Sequence, residues 1–219
     1  KQRIIIEYFT FVGCPNCPIV ENRIRQLQMQ YPTQLSYIEY HVSGELSFGS
    51  SHNDLMLYYS AFPSPVSVLQ GSDKLSGSTP EVLQNYTNLV GLLSEVDAPV
   101  RLEEFGYTTS GQTINASVKV NPTSDGFDQN QVRLRYVLLK KTWNFSNPEQ
   151  EAHHNVALAK GSVDISSFDL ANPIEFSINS PIAIPNDASL VIFVQKQPAS
   201  FANNANIYNG IEVPIAATK

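Results

Sequence analysis

Apolar positions in the first hundred residues switch between a strand rhythm and a helix rhythm. The run Ile6-Glu7-Tyr8-Phe9 predicts a strand that ends in the short loop Val12-Gly13. From Pro18 to Tyr31, the apolar residues Val20, Ile24, Leu27 and Tyr31 recur at i, i+4, i+7 and i+11, one face of a helix that Pro32 stops. Leu35–Val42 reads as the next strand, and the order strand–helix–strand predicts a right-handed parallel crossover. A polar, Gly/Ser-rich stretch, Gly44–Asn53, reads as a loop insertion before a short helix around Leu55–Tyr59. Two short strands then flank the Gly71 turn. A helix follows with Thr79 as N-cap, Pro80 at its first position, and Val82, Tyr86, Leu89, Val90 and Leu93 inward.

Asp97-Ala98-Pro99 marks a boundary, and beyond it the helical period disappears. Strand-like runs follow at Val100–Thr108, Thr113–Val120, Gln131–Lys141, Asn155–Ala159, Ile174–Ile178, Leu190–Gln195 and Ile207–Ile215. In the third of these, Val132, Leu134, Tyr136 and Leu138 share one face, as in a half-buried strand. Turns rich in Asn, Asp, Pro and Gly separate the runs. Residues 98–219 are therefore expected to form an all-β, immunoglobulin-like antiparallel sandwich, without the Cys…Trp…Cys signature of true immunoglobulin domains.

The candidate chemistry lies in the first part. Cys14 and Cys17 are the only cysteines in 219 residues, and the pattern sets them at the start of the first helix. Two thiols two residues apart can close and reopen a small disulfide. The helix dipole and free N–H groups there favour the thiolate of the first. A structural zinc site would need four ligands. No second cysteine pair exists, and none of His41, His52, His153 and His154 lies at a matching spacing from the cysteines. Pro15 lacks an N–H, but the amides of Asn16 and Cys17 remain to stabilise a Cys14 thiolate. No His or Lys sits between the cysteines to depress its pKa strongly. The expected potential is nearer the thioredoxin end of the range than that of the strong oxidants.

The segment Phe62-Pro63-Ser64-Pro65-Val66-Ser67-Val68-Leu69-Gln70-Gly71 resembles the cis-proline strand of thioredoxins. With the Cys14-Pro15-Asn16-Cys17 run, it points to an α/β thioredoxin-like domain over residues 1–97, ahead of the sandwich at 98–219. The spacing to Gly71 favours Phe62–Pro63 as the cis peptide, with Pro65 competing for the role. On that resemblance Cys14 attacks a substrate disulfide and the more buried Cys17 resolves the mixed disulfide. Phe62 and Pro63 would shape the edge that binds the peptide, and Pro63 would keep metals from the thiols. The carboxylate expected six residues before the first cysteine is Tyr8 here, with Glu7 one residue earlier. Neighbouring strand residues face opposite sides, so Glu7 substitutes only if the register shifts. Gly13 occupies the place of the usual tryptophan.

The whole chain also resembles the Omp-twenty-eight-related bacterial outer-membrane lipoproteins. The resemblance rests on Phe9-Thr10, Cys14-Pro15-Asn16-Cys17-Pro18, His154-Asn155-Val156-Ala157 and Leu190–Gln195. It implies a cell-envelope location. Composition agrees: charged residues are 16% of the chain, the net charge is −6, and Asn, Ser, Gln and Thr carry the surface. Nucleic-acid binding has no electrostatic support. No apolar run approaches the ~20 residues of a membrane-spanning helix. Because Lys1 leads almost directly into the first strand, a signal or lipid anchor ahead of it is expected.

The expected function is extracytoplasmic thiol–disulfide exchange on protein or peptide disulfides, with no cofactor and no metal. With no second cysteine pair, electrons must come from another protein or a small thiol. Two other readings stay open. One is Cu(I) handling by the same cysteines, with His41 or His52 approaching them. The other is a binding or structural protein whose redox site is vestigial. His153 and His154, flanked by Glu149 and Glu151, are adjacent on a strand, so opposite facing argues against one shared metal. Tyr136, Trp143 and Phe145 read as core or sheet-edge residues.

Overall fold

Strand β1 (Ile4–Thr10) is buried at all seven positions, as is β2 (Leu35–His41). Continuous burial of this kind belongs to strands covered on both faces. The two pair in parallel, from Ile4 beside Leu35 to Thr10 beside His41. The other edge of β1 pairs antiparallel with β3 (Val66–Leu69), which turns into β4 (Asp73–Ser76). The computed structural model that gives this architecture describes residues 1–48, 51–123, 125–146 and 151–216, the side chains of 51 and 52 excepted.

Helix α1 (Cys17–Gln30) makes the crossover from β1 to β2 and buries Val20, Ile24 and Leu27. Helix α2 (Ser51–Tyr59) begins at Ser51, so part of the stretch expected to be loop is helical. Helix α3 (Pro80–Ser94) has Thr79 as N-cap, its side chain accepting from the Val82 N–H, and buries Tyr86 and Val90. No helix among the described residues is long and apolar enough to cross a membrane. The remaining strands are β5 (Val100–Ser110), β6 (Thr113–Pro122), β7 (Val132–Trp143), β8 (His153–Asp164), β9 (Ile174–Asn179), β10 (Ala188–Lys196) and β11 (Ile207–Ile215).

These strands do not assemble as the sequence suggests. An α/β thioredoxin-like domain followed by a separate immunoglobulin-like sandwich is not what forms. Eight strands make one mixed sheet in the order β11-β10-β7-β8-β2-β1-β3-β4, and β5-β6-β9 make a second, smaller one. Eleven strands and three helices are seen among the described residues, so the chain is mostly β. The junction is parallel pairing of β2 with β8, where Glu39 lies beside Val156. The physical cause is the second edge of β2: a fully buried strand must find hydrogen-bond partners on both sides, and β8 supplies them.

Three cores use the two faces of the large sheet, one of them between β1, β2 and the helices α1 and α3, with Ile6 and Tyr8 against Val20, Ile24 and Tyr86. On one face the β5-β6-β9 sheet packs over β7, β8 and β10, with Ile114, Val118 and Phe176 against Leu134, Leu138 and Ile192, a sandwich-like arrangement. On the other, Ile5, Phe9 and Tyr40 meet Val137, Val191 and Phe193 beneath Tyr59 of α2. The sheet curls so that β11 returns to the β3–β4 turn. The Ile207 N–H donates to the Gln70 carbonyl at 2.9 Å, and Gln70 Nε2 donates to the Ile207 carbonyl at 2.8 Å. Gly71 in that turn has φ +73°, and a Cβ there would run into the Ala205 carbonyl. Only glycine meets both conditions.

Candidate functional site

After β1 the chain reverses through Gly13 at φ +84°, and the Cys14 N–H donates to the Phe11 carbonyl at 3.1 Å. Asn16 is the N-cap of α1 without a side-chain cap bond, and Pro18 fits the first turn, where a missing N–H costs little. Cys14 and Cys17 form a disulfide with their Cα atoms 5.4 Å apart. Pro15 and Asn16 are exposed between them. Both cysteines are largely buried, at 6% and 3% exposure, so the expected contrast between an open and a shielded sulfur is small.

A cavity of about 470 Å³ opens beside the disulfide. One side is the loop and helix start: Phe11, Val12, Gly13, Cys14, Cys17, Pro18 and Glu21. The other is Glu151, Ala152 and His153, from the start of β8. The continuous sheet is what brings them there, by setting β8 against β2. Phe62 and Pro63 are exposed and do not line this cavity. Both Phe62–Pro63 and Ser64–Pro65 are cis, and the buried one of the two prolines is Pro65, directly before β3.

The register of β1 against β2 is unbroken, so Tyr8 faces α1 and Glu7 faces the opposite core. Tyr8 Oη donates to the Cys17 carbonyl at 2.9 Å. Burial raises the Tyr8 phenol well above its ordinary value, so it stays neutral. Glu7 does not substitute for a carboxylate at the cysteines. It is fully buried in an ion pair with Arg135, whose Nη2 donates to Glu7 Oε1 at 2.8 Å. Tyr59 Oη donates to Glu7 Oε2 at 2.7 Å.

Two carboxylates do line the cavity, Glu151 on the β8 side and, on the cysteine side, Glu21. Glu21 stands four residues after Cys17, on the same helix face, and accepts from His154 Nδ1 at 2.9 Å. Burial raises its carboxyl above the ordinary range, with His154 opposing and the Glu39 charge adding. Glu39 and His41, at i and i+2 on β2, share the face that Tyr8 occupies on β1. Glu39 Oε1 lies 2.7 Å from His41 Nε2 and 2.5 Å from His153 Nδ1. Its Oε2 accepts the His154 N–H at 3.2 Å. Burial alone would raise Glu39; its bonds to His153 and His41 outweigh burial and hold it below the ordinary carboxylate range. Burial alone would lower His153; Glu39, with Glu21 and Glu151 farther off, raises it above the ordinary imidazole value.

His153 and His154 thus each meet a carboxylate, Glu39 and Glu21 respectively. Simple strand alternation does not describe their setting, for Asn155 beside them has φ +52°. His41, read from sequence as a strand-end residue near the thiols, is fully buried beside Glu39 and His153. The side chain of His52 and all of Glu149 lie outside the described residues. Tyr136 stacks on Phe176, Trp143 packs on Phe48, and Phe145 meets the His153 ring edge-on. The i, i+2 pair Glu39/His41 and the i, i+4 pair Cys17/Glu21 were the signals available in the sequence. Nothing local told that residues 151–154 would face them.

No protein-family model and no curated protein matches this chain. Among solved structures, a crystal structure of an Agrobacterium tumefaciens protein aligns with 100% of this chain and 97% of its own. Its TM-score is 0.64 at 13% identity. The likeness spans both halves and is one of fold. A Bacteroides uniformis protein, provisionally described as carbohydrate-binding, aligns with 53% of this chain and 57% of its own. At a TM-score of 0.33 and 11% identity, that likeness carries no argument.

Proposed function

We propose that this protein is a thiol–disulfide oxidoreductase acting on protein or peptide disulfides outside the cytoplasm. The observation that carries the reading is the Cys14–Cys17 disulfide at a helix start, on the wall of an open cavity shared with Glu21. The Omp-twenty-eight-related resemblance and the low charge support a cell-envelope setting.

In the reducing direction, the Cys14 thiolate attacks one sulfur of a substrate disulfide. A bond forms from Cys14 Sγ to that sulfur, and the second substrate sulfur leaves as a thiolate with the electron pair. Cys17 then gives its proton to Glu21 and attacks Cys14 Sγ. The Cys14–Cys17 bond closes and the first substrate sulfur leaves. The substrate gains two electrons and the protein loses two, which an external thiol returns. Glu21 suits the proton step because burial lets it exchange a proton at a higher pH than an exposed carboxyl.

Mixing reduced protein with an oxidised disulfide peptide across a pH series tests this. Cys14→Ser should release thiol no faster than the uncatalysed reaction. Glu21→Gln should slow the second step by ~10²-fold and lose the inflection that Glu21 places above the ordinary carboxylate value of ~4.3. If Cys14→Ser exchanges as fast as the native protein, the proposed function is wrong. A Glu21→Gln profile identical to the native one removes Glu21 from the mechanism.

A further inference from the structure

We propose that Glu39, His41 and His153 form a binding site for a zinc-like divalent metal ion, opening on the cavity that holds the disulfide. Strand geometry supplies two ligands together, since Glu39 and His41 are i and i+2 on β2 and share a face. The parallel pairing of β2 with β8 brings in the third. The ligand atoms Glu39 Oε, His41 Nε2 and His153 Nδ1 all lie within 4.8 Å of one another. Glu39 and His41 are buried, and His153 is 15% exposed at its side chain.

Two imidazoles and one carboxylate suit zinc and its neighbours in the first transition row rather than calcium or magnesium, which take oxygen ligands. The two imidazole nitrogens stand 2.7 and 2.5 Å from one carboxylate oxygen. A tetrahedral zinc ion with bonds of ~2.0–2.1 Å spaces its ligand atoms roughly 3.3 Å apart. On these two edges, loading therefore needs the imidazoles to part from that oxygen by under about 1 Å, with the ion replacing the shared protons. Supporting contacts hold the set in place. The His154 N–H holds Glu39 Oε2, the His41 and His153 rings cross at 80°, and Phe145 braces the His153 ring. Three protein ligands leave a fourth position. His153 also lines the cavity, and three protein ligands with one place left over is the ligand count of a reactive rather than a purely structural zinc site.

The test uses the oxidised protein, whose disulfide keeps the thiols out of coordination, so the result does not depend on the redox reading. Zn²⁺ is titrated by calorimetry, and Co²⁺ by visible absorption. The expected result is one Zn²⁺ per chain with a dissociation constant of about 10 μM or tighter. The Co²⁺ spectrum should show tetrahedral bands without sulfur-to-metal charge transfer. His153→Ala, at the partly exposed start of β8, should lose roughly 100-fold in affinity, and Glu39→Gln at least as much. No binding at ~100 μM Zn²⁺, or native affinity in folded His153→Ala, overturns the proposal. If either variant fails to fold, Co²⁺-induced shifts of the His41 and His153 ring protons in the native protein decide. Absent shifts overturn the site.

Discussion

Arg135→Met lowers the unfolding free energy by about 3–5 kcal/mol, the cost of leaving a buried charge without its partner. Glu7 is fully buried and Arg135 is 4% exposed. The guanidinium also donates to Gln195 Oε1 at 2.5 Å and lies 4.8 Å from the centre of the Phe193 ring. Gln195 in turn donates to Tyr59 Oη at 2.8 Å and to the Ala205 carbonyl at 2.7 Å. One ion pair thus ties β1, β7, β10 and α2 together. Burial lowers the guanidinium's affinity for its proton, and Glu7 with the nearby tyrosines more than restores it, so Arg135 stays charged. Removing it strands the carboxylate and leaves Gln195 Oε1 without the guanidinium donor. The double variant Glu7→Leu, Arg135→Met should recover most of the loss, because apolar replacements of similar size leave no orphaned charge. Urea unfolding of the three proteins checks this. A single variant within about 1 kcal/mol of native stability would contradict the role given to the pair.

Cys17→Ser should accumulate a mixed disulfide between Cys14 and a substrate peptide, living at least roughly 10²-fold longer than in the native protein. The native resolving thiol is held three residues away in the same helix start, and attack from a held position has an effective concentration far above that of any free thiol. Serine keeps the backbone and the Cys17 carbonyl that Tyr8 holds, so the loss belongs to the sulfur. Non-reducing mass spectrometry after an acid quench reads the adduct directly. Adduct on neither the variant nor the native protein would remove Cys14 as the attacking group.

Local elements were legible because their signals are local. The i, i+4, i+7 spacing of Val20, Ile24 and Leu27 found α1, and Thr79 with Pro80 found the start of α3. The β-rich runs after residue 100 each became a strand, several extended by a residue or more at their ends. The sheet order was not legible. A period of two tells which face a residue takes but not which strand adjoins an edge, so the pairing of β2 with β8 left no trace. The site shows the same divide. Cys14 and Cys17 are named by their own chemistry, whereas Glu39, Glu21 and His153 acquire theirs from neighbours more than 100 residues distant in sequence. Glu7 was drawn to the cysteines by proximity in sequence, and strand alternation turned it the other way.

The most direct test of the redox account is a thiol-trapping titration of Cys14 and Cys17 in glutathione and dithiothreitol buffers, read by mass after alkylation. The account predicts a reversible two-electron transition with a midpoint between about −300 and −150 mV, the range of working exchange proteins without strongly oxidising character. A disulfide that resists reduction below that window would contradict it, as would half-oxidation above it.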